Sequence, residues 1–218
     1  VCRNEEQQKL IGQVLSDQEN LVTHYNDLIA LHEKRFAYLS YELLSGRLRL
    51  KKNGIAIEFI HNDLFSCMSV NNLDVDIPDQ WSVKSLGAVA VTSIGSTPPK
   101  KDNNYNGVIP WITISDLGGK FISSYSGQVD ALKNVKVLPP GTLIGSFKMS
   151  VGRFGFLTEP SATNEAIIAI KPEGTDEDLN FLYYCLPSVF KENATLNGQG
   201  LPLLNTAKIK SLQVVLPP

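Results

Sequence analysis

An α+β chain is predicted, with one long N-terminal coiled-coil helix followed by a β-rich domain that carries short helices. Three observations lead there. From Asn4 to Ser45 there is no proline and a single glycine, Gly12, while the apolar residues recur at heptad spacing. From Trp81 onward the texture changes to short strand-like runs set between Gly, Pro, Asn and Ser. Hydrophobic residues make up 43% of 218 and the net charge is only −2, which is the balance of a chain that buries a core and not of a disordered one.

The helix is justified by its columns. Leu15, Val22, Ile29, Phe36 and Leu43 fall every seven residues, with Val14, Leu21 and Leu28 beside them and Ile11, Tyr25 and Leu39 on a third column. At 1.5 Å per residue such a helix is roughly 60 Å long. It cannot cover its own stripe, and no second helix of that length is legible in the sequence. Ile11, Leu15, Leu21, Val22, Leu28, Ile29, Phe36, Leu39 and Leu43 are therefore the candidate helix-pairing residues. Gln18, His32 and Arg35 interrupt the stripe and read as register-setting or rim residues. Gly46 fits a helix stop, and the cations Arg47, Arg49, Lys51 and Lys52 follow it.

Residues 1–50 form this helical module, and residues 51–77 read as a connecting segment. Within it "GIAIEFI" is a short strand and "SVNNLDVDIPD" a loop. Residues 78–218 are the β-rich domain. Its strands are expected at "VIPWITI", "GTLIGSF", "RFGFL", "EAIIAI" and "SLQVVL", with helices near Leu179–Lys191 and Thr206–Lys210. Pro187 is expected to end or kink the first of these helices.

Familiar catalytic chemistry is absent from the sequence. There is no P-loop, no GxGxxG after a strand, no HExxH, no nucleophile elbow and no Asn/Asp-Pro-Pro-aromatic methyltransferase motif. His24, His32 and His61 lie outside the β-rich domain, which removes the commonest general base from it. Cys2, Cys67 and Cys185 form no CxxC pair, so neither a disulfide framework nor a zinc knuckle is supported. No catalysis, bound metal or bound cofactor is expected of this chain. The cysteine usage and the lack of a signal peptide or membrane-length apolar run point to the cytoplasm. Asn193-Ala194-Thr195 matches a glycosylation acceptor by chance.

What is chemically distinctive is the content of the loops. "GSTPPKKDNNYNG" (95–107) contains Lys100, Lys101, Asn103, Asn104 and Tyr105. "SFKMSVGRFGF" (146–156) carries Lys148, Ser150 and Arg153, the last arginine in the chain and the only one after residue 52. Thr163 and Asn164 precede an apolar strand, and "TLNGQGLPLLN" holds Asn197 and Gln199 beside two glycines. Asn and Gln can address adenine through paired hydrogen bonds, and Arg and Lys can address guanine. The same residues are also what ordinary solvated turns are made of. A mildly acidic chain has to bind nucleic acid through local clusters of charge, since its overall balance gives no help.

The order of several motifs resembles one family, the DNA-specificity subunits of type I restriction–modification systems. "RFAYLSYELLSGRLRL" is similar to the end of that family's spacer helix, and "IPDQWSVKSLGAVA" to the entry into its target-recognition domain. "GSTPPK", "IPWITISDL", "LPPGTLIGSF", "ATNEAI" and "LNTAKIKSLQVVLPP" follow in the family's order and spacing. The chain ends on "VLPP" and carries "EEQQKLI" near its start, at residues 5–11, and these resemble the two halves of the family's domain-to-helix junction. One helix-plus-recognition-domain repeat, cut at that junction, is the expectation.

The resemblance implies a function. The domain would read one half of a bipartite double-stranded DNA target. The helix would pair with a second spacer helix, from the same polypeptide or from another copy in a homodimer. Modification subunits would supply adenine methylation with S-adenosylmethionine, and a restriction subunit would supply cleavage, in defence against foreign DNA. On this reading Arg153 and Asn164 contact base edges, with Asn103, Asn104 and Gln199 behind them, and Lys100, Lys101 and Lys148 contact phosphates. Tyr105, Ser150 and Asn197 complete the candidate DNA-binding set. A competing reading is a coiled-coil scaffold whose β-rich domain binds protein. The recognised bases and the source of the second helix stay open at this stage.

Overall fold

Forty residues of unbroken helix, α1 (Glu5–Leu44), open the computed structural model, which describes residues 5–53, 56–99, 106–130, 135–172 and 176–218. Glu5 and Glu6 sit in the first turn, where acidic groups favour the positive end of the helix dipole. The stop is at Gly46, which adopts φ +69°, the left-handed conformation that costs glycine least. Ser45 N–H then donates to the Tyr41 carbonyl at 2.9 Å and Gly46 N–H to that of Leu43 at 3.2 Å. None of the residues of α1 is buried. The chain continues into an antiparallel hairpin of β1 (Leu48–Asn53) and β2 (Ala56–His61), in register from Leu48↔His61 to Asn53↔Ala56. These elements make up a first unit that ends at Asp63, and a second unit runs from Leu64 to Pro218.

The second unit opens with a departure from expectation. "SVNNLDVDIPD" is not a loop. It contributes to a hairpin of β3 (Phe65–Val70) and β4 (Leu73–Pro78). Asn71 and Asn72 both take positive φ, +50° and +66°, the pair of left-handed residues a two-residue type I′ turn requires. Leu73, Val75 and Ile77 then alternate with Asp74 and Asp76, the two-residue period of a half-buried strand. The turn is clipped to the last strand of the chain. Asn71 N–H donates to Gln213 Oε1 (2.7 Å), Asn71 Nδ2 to the Gln213 carbonyl (2.9 Å), and Gln213 N–H to Asn71 Oδ1 (2.8 Å).

Next come β5 (Ser82–Ser85), a single turn α2 (Leu86–Val89), β6 (Ala90–Ile94), β7 (Ile109–Ile112), a 3₁₀ turn at Ile114–Asp116, β8 (Phe121–Ile122) and β9 (Gly127–Val129). The central strands are β10 (Leu143–Ser146), β11 (Phe154–Leu157), β12 (Ala162–Thr163) and β13 (Ile167–Pro172). Five of them form a sheet in the order β6-β13-β10-β11-β8, and β12-β7-β9 form a smaller one. Both β10 and β11 are buried at every position, so the centre of the five-stranded sheet is covered on both faces. Alternation divides its side chains. Leu143, Phe154, Phe156, Ile168 and Ile170 join one apolar cluster; Ile144, Leu157, Ile167 and Ala169 join another with Ile112, Leu117, Ile122 and Leu138.

The first cluster is covered by α3 (Asp176–Glu192), which presents Leu179, Leu182, Leu186 and Phe190 at helical spacing. The Phe190 ring meets Phe154 edge-on, 5.0 Å between centroids. Pro187 does not end α3, which runs five residues beyond it. A proline inside a helix costs about 3 kcal/mol. Leu186 and Phe190, both fully buried on either side of it, offset that with about 1.5–3 kcal/mol each. The chain finishes with β14 (Thr195–Leu196), β15 (Pro202–Leu203), α4 (Thr206–Ile209), which Asn205 caps through Ala207 N–H at 2.9 Å, and β16 (Gln213–Leu216) against β5. Among the described residues no helix is long and apolar enough to cross a membrane.

Candidate functional site

Strand directions decide where the polar loops go. β6 ends at Ile94, which pairs next to the start of β13, and Ile167 at that start pairs with Ser146 at the end of β10. The loops after β6, between β10 and β11, and before β13 therefore leave from one end of the sheet. Backbone hydrogen bonds tie them together: Gly95 N–H to the Ile167 carbonyl (3.1 Å), Ser96 N–H to Thr163 (2.9 Å) and Phe147 N–H to Ala166 (3.1 Å). The β14–β15 hairpin joins the same end, because Met149 N–H donates to the Pro202 carbonyl (2.8 Å) and Leu204 N–H to that of Phe147 (2.8 Å). Segments 95–99, 147–153, 163–166 and 197–201, separate in sequence, become one polar rim.

Each candidate residue has a definite setting. Arg153 is exposed and its Nη1 donates to the Ile114 carbonyl at 3.4 Å. Asn164 is half-buried; its N–H donates to the Ile112 carbonyl (3.1 Å), and its Oδ1 accepts from Ala166 N–H (3.1 Å). Arg153 and Asn164 are thus brought to carbonyls two residues apart on one segment. Lys148 is half-buried with its ammonium 5.2 Å from the centroid of the Phe147 ring, and Ser150 is exposed at the loop tip. Asn197 Oδ1 accepts two N–H groups, from Gln199 and Leu201, both at 2.9 Å. That occupies both lone pairs of its carbonyl oxygen and leaves Asn197 only its amide donors. The Gln199 side chain is exposed on the turn so formed. Lys100, Lys101, Asn103, Asn104 and Tyr105 lie outside the described residues.

Sequence reasoning missed three supporting groups. Asp116 closes the turn under Arg153: its Oδ2 accepts from Thr113 N–H (2.8 Å) and Oγ1 (2.9 Å), and its Oδ1 from Ser126 N–H (3.1 Å). Ser146 is fully buried at the neck of the 147–153 loop. Lys120 places its ammonium 5.0–6.0 Å from the ring centroids of Phe121, Phe156, Tyr183 and Tyr184, and it donates to the Tyr184 hydroxyl at 3.3 Å. The Asp116 turn had a signal, the Thr-x-x-Asp spacing of a capping box, whereas a lone serine after an apolar run had none.

Among the described residues no group of three or more His, Cys, Asp or Glu side chains could hold a metal ion. Burial pushes the Cys185 thiol up to about 12, which keeps it protonated at neutral pH and a poor nucleophile. Burial, with Tyr184 adding to it, likewise raises the Tyr183 phenol. The rim offers hydrogen-bond donors, cations and close backbone approach, which suits recognition.

The rim depends on glycine at its root. A Cβ at Gly95 would stand 2.2–2.4 Å from the Asn164 and Thr163 carbonyl oxygens and Thr163 Oγ1, and the two carbonyls are backbone. Gly95→Ala is expected to cost about 1–3 kcal/mol in urea unfolding, the usual range for overpacking. It should also speed hydrogen exchange at the Ser96 amide, which the Thr163 carbonyl now protects. An unchanged Ser96 exchange rate would contradict this account of the loop root.

Comparison with known proteins agrees with this architecture. A family model described as the type I restriction modification DNA specificity domain matches residues 78–218. The HindI type I restriction enzyme specificity subunit of Haemophilus influenzae is 26% identical over 65% of this chain and 33% of its own length. The MjaVIII specificity subunit of Methanocaldococcus jannaschii is 24% identical over 97% of this chain and 50% of its own. Among solved structures, the HsdS subunit from Thermoanaerobacter tengcongensis aligns with a TM-score of 0.56 at 19% identity, over 98% of this chain and 47% of that one. A chain from a structure of the type I R-M system aligns with a TM-score of 0.58, over 100% and 49%. At that identity the likeness speaks for the fold, a long helix followed by a strand-rich unit. The chain spans between a third and a half of the length of these relatives.

Proposed function

The chain belongs to the type I restriction modification DNA specificity domain family, and from that membership we propose that its polar rim reads one half of a bipartite duplex DNA target. The observation that carries the reading is the convergence of the loops containing Arg153, Asn164, Lys148 and Gln199 on one end of the sheet. A major groove about 12 Å wide admits such a protrusion, whose side chains then meet base edges. Arg153 and Gln199 are assigned to bases, Asn164 to a base through its amide donors, and Lys148 to phosphate. By sequence alone, Lys100 and Lys101 are assigned to phosphate, and Asn103, Asn104 and Tyr105 to the same DNA half-site. Asn197 shapes the turn that presents Gln199, and Ser150 contributes a hydroxyl at the loop tip.

The rest of the activity is assigned to partners. Modification subunits carry S-adenosylmethionine and methylate adenine, a restriction subunit cleaves, and this chain is the non-catalytic cytoplasmic component that selects the site. α1 pairs with a second spacer helix and sets the distance between half-sites. A length of roughly 60 Å exceeds the 34–36 Å of one DNA turn, so the helix can act as that ruler. A protein-binding scaffold would leave the gathered cations and amides of the rim without a task, and the family match does not favour it.

The test is selection from a randomised duplex library by the chain assembled with a modification subunit at moderate salt. A short fixed motif should be enriched. Arg153→Ala should weaken binding to the selected duplex by about 1–3 kcal/mol and relax one base position. Lys148→Ala should weaken all duplexes alike and make the salt dependence shallower. Uniform loss across sequences in the Arg153 variant would remove it from base reading, and an intact assembly that enriches no motif would sink the assignment as a whole.

A further inference from the structure

The loop that carries Arg153 is braced at both ends of that residue before any DNA arrives. At the backbone end, Ser146 is fully buried, and its hydroxyl donates to the Ser150 carbonyl and accepts from Arg153 N–H at 3.1 Å. The main chain adds Ser146 N–H to the Arg153 carbonyl (2.9 Å) and Gly152 N–H to the Ser146 carbonyl (3.0 Å). Met149 at φ +63° and Gly152 at φ +86° turn the chain tightly between these ties. At the side-chain end, the guanidinium reaches the Ile114 carbonyl on the turn closed by Asp116. Among the described residues one of its five donors is engaged, and the others are left for a ligand.

Resting on the assignment of Arg153 to a base, we propose that Ser146 and Asp116 are positioning residues that fix which base pair Arg153 reads, without touching DNA. The physical ground is preorganisation. A free arginine side chain has to surrender its rotamer freedom on binding, and a guanidinium already held in place gives up less. Bidentate reading of a base also depends on the angle of approach. A brace that sets the angle therefore affects the right base more than the wrong ones. Ser146 acts on where the Arg153 backbone sits, and Asp116 acts on where the accepting carbonyl sits.

The experiment uses the chain assembled with a modification subunit and measures Kd for the selected duplex and its single-base variants, with thermal unfolding of each protein alongside. Ser146→Ala keeps the Cβ and removes the hydroxyl; Asp116→Asn keeps the shape at a half-buried position and replaces one acceptor with a donor. Each is expected to reduce discrimination at the position read by Arg153 by about 2- to 12-fold, the net worth of one hydrogen bond. Discrimination at the other positions should hold. In an Arg153→Ala background neither change should reduce discrimination further, because the braced group is gone. Equal weakening on every duplex, or a lowered melting temperature with an unchanged base profile, would reduce both residues to structural supports and overturn the proposal. An unchanged profile in Arg153→Ala alone would instead overturn the assignment of Arg153, and the proposal with it.

Discussion

Phe147→Ala is expected to lower the unfolding free energy of the strand-rich unit by about 3–5 kcal/mol, the range for emptying a large aromatic site in a core. Phe147 is fully buried in the cluster formed with Leu143, Phe154, Leu182, Leu186 and Phe190. The site has little means to close over the gap. Phe147 N–H is bonded to the Ala166 carbonyl and its own carbonyl accepts from Leu204 N–H, so its backbone is held on both sides. Urea unfolding should show a lower midpoint with an unchanged slope, the sign of lost stability and not of an altered denatured state. A loss below about 1 kcal/mol would mean that the ring is not a core residue. Since Phe147 is also the first residue of the loop leading to Arg153, the folded variant should bind its selected duplex more weakly as well. The proposed recognition surface and the core are then one energetic unit.

How much of this could be read in the sequence depended on range. α1 was legible because its evidence is local: forty residues without proline and an apolar residue every seventh place. The strands at Leu143–Ser146, Phe154–Leu157 and Ile167–Pro172 were legible because apolar runs between Gly, Pro and Ser leave few alternatives. Asn71-Asn72 misled, since two asparagines look like loop when in fact they supply the two left-handed residues of a hairpin turn. Of the two outcomes expected at Pro187, an end to the helix does not occur, because a local rule about proline gives way to the burial of Leu186 and Phe190. The site divided along the same line. Composition picked out the polar loops one at a time. That β6 lies beside β13 and β13 beside β10, and so that those loops meet, follows from pairings such as Ile94 with Ile168 that no local pattern encodes. Ser146 stayed invisible because its importance lies entirely in being buried beneath Arg153.

Val22→Asp with Ile29→Asp is expected to abolish helix pairing by α1 while leaving the strand-rich unit folded. The stripe is exposed through Phe36, with Leu15 60%, Val22 59%, Ile29 57% and Phe36 59% accessible, and becomes half-buried at Leu39 and Leu43. An exposed apolar surface this extended marks an interaction face, and heptad spacing specifies another helix as the occupant. Each aliphatic side chain buried in such a seam contributes about 1.5–3 kcal/mol, so losing two weakens pairing by roughly 10²- to 10⁴-fold before the cost of burying a carboxylate is counted. Sedimentation should find the unaltered chain self-associated through the micromolar range and the double variant monomeric, with melting of the strand-rich unit unchanged. If both proteins sediment alike, the stripe is not the seam. If the unaltered chain stays strictly monomeric, the matching helix is supplied by another segment of the same polypeptide or by a different chain, and addition of that helix should give pairing with the unaltered protein alone. On the proposed reading, the ruler between half-sites is in either case a property of two helices together. DNA selection by the double variant should accordingly retain the half-site motif and lose the fixed spacing to a second one, which separates the reading of bases from the measurement of distance.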